Sequence, residues 1–196
     1  YETQITLKAG LEFGMQAHTV LQYETLFQKY PLDFVILSIH QIDDLEFWTQ
    51  DFQRTRSQKE YHQRYYEEML HLVNTYHNYS VLGHMDLIVR YDEKGVYPYE
   101  KIRPLVREIL QVVIRDGKGI ELNTSYHRYG LKDTTPSVHI LQEYRELGGE
   151  MITIGSDSHT PAHLGAGLQE AKELLKSLGF RFFCTYDKMQ PVFHPL

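Results

Sequence analysis

Short apolar runs alternate along this chain with longer segments of helical period. Ile5 to Phe13 reads as a strand, with Gly10 where another backbone comes close. Phe34-Val35-Ile36-Leu37-Ser38-Ile39-His40 is almost wholly apolar, as expected of a strand covered on both faces. Ser80–Asp86, Gly119–Asn123, Met151–Ser156 and Phe180–Thr185 supply four more strands. Helical stretches fall at 17–30, 59–79, 98–116, 136–147 and 161–178. In the third of these, Ile102, Leu105, Val106, Ile109, Leu110 and Val113 form a stripe of period 3.6. Pro31 ends the first helix, and Gly148-Gly149 and Gly179 close the last two. Residues 43–58 are polar with scattered aromatics (Phe47, Trp48, Phe52) and read as a long loop or lid. Strands alternating with helices predict a parallel α/β architecture of about six strands, with residues 1–196 in one domain.

Composition narrows the function classes. The 196 residues are 42% hydrophobic and 23% charged, with a net charge of −6. That balance argues against a nucleic-acid partner held by overall charge. No apolar run reaches the roughly 20 residues that span a bilayer, so no membrane partner is expected. The single Cys184 excludes an internal disulfide and a thiolate-rich zinc cluster, and fits a reducing, cytoplasmic setting. Nothing in the sequence specifies an oligomeric state. Eleven histidines raise the prospect of metal ligation.

The strand ends sharpen that prospect. Gly155-Ser156-Asp157-Ser158-His159 follows the apolar run Met151–Ile154. An Asp and a His two apart in strand geometry point the same way. The same segment also suits a helix start, with Ser158 or Thr160 capping and Pro161 in the first turn. Other strand ends carry Glu12, His40, His84 with Asp86, and Asn123. In a β/α barrel the working residues lie at such places. Mixed His and carboxylate sets suit Zn²⁺, Mn²⁺ or Fe²⁺. Singly, each residue has a plainer role: Glu12 as a surface carboxylate, His40 or His84 as a core histidine, Asp86 as a cap or imidazole partner, Asn123 as a turn residue. Arg90 and Arg128 each follow a strand end by a few residues, where an Arg either grips an anionic group or forms a surface salt bridge.

Together, Gly10-Leu11-Glu12-Phe13-Gly14, Ser38-Ile39-His40, Gly83-His84-Met85-Asp86-Leu87, Glu121-Leu122-Asn123-Thr124 and the Gly155–His159 segment resemble the PHP (polymerase and histidinol phosphatase) superfamily. They look most like its histidinol-phosphate phosphatase branch, over essentially the whole chain. The resemblance implies a distorted (β/α)7 barrel with two or three divalent metal ions at the C-terminal ends of its strands. It implies Glu12 as a metal-bridging carboxylate, His40 and His84 as ligands of one ion, and Asp157 and His159 as ligands of others. Arg90 and Arg128 match positions that hold a substrate phosphate. The family's first strand carries a His-x-His motif. No His precedes Glu12 here, so by this resemblance the barrel is N-terminally incomplete. The implied activity is metal-dependent hydrolysis of L-histidinol phosphate, a small phosphorylated substrate, in histidine biosynthesis. A metal-activated water attacks phosphorus in line, and Asp157 or a His such as His159 protonates the leaving alkoxide. Two other expectations stand beside it: another phosphoesterase or exonuclease of the superfamily, and a PHP-like module kept for binding.

Overall fold

The computed structural model describes residues 5–196, so the reading of Tyr1–Gln4 as the approach to the first strand lies outside the described residues. The first strand, β1 (Gly10–Gly14), is shorter than the run from Ile5 predicts, because Ile5–Ala9 forms no strand ladder; Ala9 bonds only Asp33, through its N–H to the carboxylate and its carbonyl from the backbone N–H. A 3-10 turn (Ala17–Thr19) leads into α1 (Val20–Lys29), which stops before Pro31. β2 (Phe34–Ser38) follows. The predicted loop after it contains a small hairpin, β3 (Gln41–Ile42) and β4 (Leu45–Glu46), and a single helical turn, α2 (Asp51–Arg54). It is anchored rather than free. Ile42, Phe47 and Phe52 are fully buried, whereas Trp48 is 66% exposed.

α3 (Gln58–Thr75) starts at a capping box. Ser57 Oγ accepts from Glu60 N–H, and the Glu60 carboxylate accepts from Ser57 N–H. The helix buries Tyr61, Tyr65, Tyr66, Met69, Leu72 and Val73. β5 (Val81–Leu82) is only two residues long. α4 (Tyr99–Arg115) buries Ile102, Val106, Ile109, Leu110 and Val113, the stripe its period predicts. β6 (Gly119–Asn123) is buried at every position. α5 (Val138–Glu146) and β7 (Ile152–Gly155) complete the alternation, and α6 (Leu168–Ser177) follows. This last helix begins later than the pattern from Pro161 predicts. Pro161 opens only a 3-10 turn, Pro161–His163, and Gly165 and Gly167 then take positive φ.

The sheet is wholly parallel, in the order β1-β2-β5-β6-β7. Its register aligns Leu37 with Leu82, Leu82 with Ile120 and Ile120 with Ile152. Aligned parallel strands bring their C-terminal ends to one side, where the loops after β1, β2, β5, β6 and β7 meet. The sixth predicted strand does not extend this sheet. It is β8 (Phe182–Asp187), which pairs antiparallel with β9 (Gln190–Pro195). The turn residues Lys188 and Met189 both have positive φ, as a tight hairpin of primed type requires. Cys184 and Tyr186 of β8 pack against Phe34, Ile36, Val81 and Met151, at the end of the sheet away from those loops. No described helix is long and apolar enough to cross a membrane.

Candidate metal and phosphate site

Three ligand-type side chains meet at the C-terminal end of the sheet. Glu12 projects from β1, His40 follows β2 and His84 follows β5. Glu12 Oε1 lies 2.9 Å from His84 Nε2 and 3.0 Å from His40 Nε2, and the two imidazole nitrogens are 3.4 Å apart. Among the described residues, these three form the one group of carboxylate and imidazole atoms close enough to hold a metal ion together. Gly14 makes room for the arrangement, since a Cβ there would sit 2.8 Å from His40 Nδ1. β1 is the outer strand of the sheet, and the Glu12 side chain is 38% exposed.

The charges are mutually supporting. Burial alone would raise the Glu12 carboxyl, but hydrogen bonds from His40 and His84 outweigh it and hold Glu12 far below the usual carboxylate range. Burial pushes His84 the other way, yet the Glu12 bond and the Glu121 and Glu12 charges leave its imidazole above its ordinary value. The positive charge of Arg90 acts against that, placing Arg90 in the same electrostatic neighbourhood.

Glu121 is the residue that sequence patterning passed over. It sits 4% exposed in the middle of β6, and its Oε2 accepts from the His84 backbone N–H at 3.1 Å and from Asn123 Nδ2 at 3.3 Å. Burial raises its carboxyl, partly offset by His84. The available signal was a charged residue inside a wholly buried strand, which has to be paired. Asn123 turns out to serve the loop. Its Oδ1 accepts from Ser125 N–H, and its amide braces Glu121. Asp86 is also buried, accepts from Ser137 N–H at 2.7 Å, and is pushed up to about 7 by desolvation.

A second cluster lies at the loops after β5, β6 and β7. Arg90 is 7% exposed, stacks 3.8 Å from the Tyr129 ring centre, donates to Ser125 Oγ at 2.8 Å and lies 3.9 Å from Asp157 Oδ2. Arg128 Nη2 donates to the carbonyls of Ser156 (2.9 Å) and Asp157 (2.7 Å). Each guanidinium keeps one buried N–H without a partner, Nε of Arg90 and Nη1 of Arg128. Buried cationic donors are costly unless something accepts from them. A tetrahedral oxyanion offers the acceptors that this pair lacks.

The Gly155–His159 segment departs from strand alternation. β7 ends at Gly155, and Asp157 adopts φ 49°, a left-handed conformation that Asp tolerates. Asp157 and His159 are therefore not placed by strand period. The Asp157 side chain is 16% exposed and faces Arg90, while His159 is 78% exposed and its Nδ1 lies 3.0 Å from the Asp157 carbonyl oxygen. Neither belongs to the compact Glu12–His40–His84 group. Of the other histidines, His62 is buried against Asp92 at 2.7 Å and His139 stacks on Tyr99, both away from these clusters.

Three comparisons bear on the site. The PHP domain family model matches residues 1–125. A histidinol-phosphatase of Lactococcus lactis subsp. lactis (strain IL1403) is 29% identical over 196 residues, covering 97% of this chain and 71% of the relative. A crystal structure of histidinol phosphate phosphatase from Lactococcus lactis, complexed with zinc, L-histidinol and phosphate, superposes with a TM-score of 0.83 at 26% identity. The match covers 97% of this chain and 73% of that one.

Proposed function

This chain belongs to the PHP domain family, and from that premise we propose that it is a histidinol-phosphatase, converting L-histidinol phosphate to L-histidinol and phosphate. The related Lactococcus protein carries that name, and its crystal structure holds zinc, L-histidinol and phosphate. One observation from this chain carries the reading. A Glu/His/His cluster and two buried guanidinium groups with unpaired N–H bonds share the C-terminal end of one parallel sheet.

The donor set fits divalent metal ions. A carboxylate oxygen and two imidazole nitrogens converge, and an ion of the Zn²⁺ type accepts all three lone pairs at once. In this reading Glu12, His40 and His84 hold the ion, with Asp157 and His159 as further ligands. When bound, such ions make a water nucleophilic at neutral pH and neutralise phosphoryl charge. Arg90 and Arg128 receive the phosphate through the N–H groups that have no protein partner, and Ser125 and the Ser156 and Asp157 carbonyls hold the forks in place. Glu121 fixes the backbone at His84, and so the direction from which that imidazole approaches. Of Asp157 and His159, the one not held to an ion passes a proton to the departing alkoxide. The setting is a cytoplasmic biosynthetic enzyme.

The test is phosphate release from L-histidinol phosphate by the purified protein, before and after exhaustive chelation and after restoring Zn²⁺ or Mn²⁺. Turnover is expected to vanish on chelation and return with metal. Turnover unaffected by complete metal removal would eliminate the reading.

A further inference from the structure

A cavity of about 420 Å³ opens between the loop after β5 and the loop after β6. It is separate from the clusters above. Neither the Glu12–His40–His84 group nor Arg90, Arg128 or Asp157 lines it. Tyr66 of α3 and Asp86 contribute to its lining, together with Tyr97, Tyr99, Ile102 and His139. Its size and mostly apolar lining, with a few convergent polar groups, are those of a small-molecule site.

Two polar atoms in the lining lack partners: Asp86 Oδ1 and the Tyr66 hydroxyl, in residues that are 4% and 0% exposed. The other Asp86 oxygen is fixed by the Ser137 N–H at 2.7 Å, so the orphan oxygen has a set position. Buried oxygens left in this condition carry a desolvation cost that a donor from outside removes. Three carboxylates line the cavity, from Asp86, Asp92 and Asp133, against one lysine, Lys132. Asp92 is already saturated by Tyr61, His62 and Gln58. The aromatic walls are held in place before anything enters. Tyr97 stacks on His62 at 4.5 Å and 12°, and Tyr99 on His139 at 5.3 Å and 12°.

We propose that this cavity is a second small-molecule site, one that takes an organic amine cation with an aromatic or aliphatic body. The ammonium group donates to Asp86 Oδ1 and Tyr66, and the body packs on Ile102 between the faces of Tyr97 and Tyr99. Aromatic faces favour a cation as well as an apolar body. The inference does not rest on the phosphatase reading.

The experiment titrates the protein with phenethylamine and, in parallel, with its neutral counterpart 2-phenylethanol, following methyl resonances of Val89, Ile102 and Ile140 by NMR. The amine is expected to shift these signals at millimolar concentration, and the alcohol to bind at least about tenfold more weakly. Asp86→Asn keeps an acceptor for Ser137 and turns an amine toward the cavity, so affinity should fall about tenfold to a hundredfold. Tyr66→Phe, which removes only the unpartnered hydroxyl, should weaken binding severalfold. His40→Ala, at the metal cluster, should change affinity less than twofold. Absence of shifts at these methyls, equal binding of amine and alcohol, or unchanged affinity in both Asp86→Asn and Tyr66→Phe would overturn the proposal.

Discussion

Gly155→Ala measures how tightly the sheet is built around Glu121. A Cβ at position 155 would lie 2.1 Å from Glu121 Oε1 and 3.1 Å from its Cδ. Gly155 sits in β7 without the positive φ that makes Ala strained elsewhere, so the cost is one of space alone. Glu121 cannot swing aside freely. Its other oxygen holds the His84 N–H and the Asn123 amide. Overpacking costs about 1–3 kcal/mol. Losing a hydrogen bond to a buried carboxylate adds about 1.5–3 kcal/mol. The stiffer unfolded chain returns about 0.4–1 kcal/mol. The net destabilisation is then about 1.5–5.6 kcal/mol, a large share of the stability of a typical domain. Urea denaturation of Gly155→Ala, Glu121→Ala and the double variant provides the assay. In the Glu121→Ala background the added methyl has nothing to strike, so the coupling should be about 2 kcal/mol or more. A single variant within about 0.5 kcal/mol of the parent, or purely additive losses, would refute the claim that Glu121 occupies the space the glycine leaves.

Two other perturbations separate function from framework. Arg90→Ala or Arg128→Ala should keep zinc stoichiometry while lowering kcat/KM on L-histidinol phosphate about tenfold to a hundredfold, whereas His84→Ala should lose metal and turnover together; full activity in both Arg variants would move the phosphate site elsewhere. Glu143 of α5 is buried beneath Arg103 and Arg107 of α4, and although burial alone would raise its carboxyl, those bonds hold it below the ordinary value. A carboxyl lowered on folding stabilises above its unfolded pKa, and the contribution disappears as pH falls. Acid unfolding should therefore set in less steeply below about pH 5 for Glu143→Gln than for the parent, and identical pH slopes would show that the Arg clamp contributes nothing.

The hydrophobic pattern by itself determined the order of elements, because burial on both faces of a parallel strand and on one stripe of a helix leaves a periodic record in the chain. The run Phe34–His40 became a strand as far as Ser38, and the run Gly119–Asn123 and the stripe on α4 became a strand and a helix nearly residue for residue. The placement of Glu12, His40, His84, Asp157 and His159 at strand ends predicts that they converge, since parallel topology brings strand ends to one side; Glu12, His40 and His84 meet, while Asp157 and His159 stand outside that group. Other features had no local signature. β8 looked like one more parallel strand, but its partner is β9, joined by Lys188-Met189, a pair without the Asn or Gly that usually marks such a turn. The Asp157–His159 segment looked like the end of a strand, yet a positive φ at Asp157 turns its carbonyl toward Arg128 and leaves His159 in solvent. Glu121 read as one residue of a buried run. Gly155, on the neighbouring strand β7, leaves its carboxylate room, and strand neighbours are chosen by the tertiary fold. Periodicity records which face of an element is dry. Which charged groups share that dry space depends on contacts between distant segments, and those exist only once the sheet has assembled.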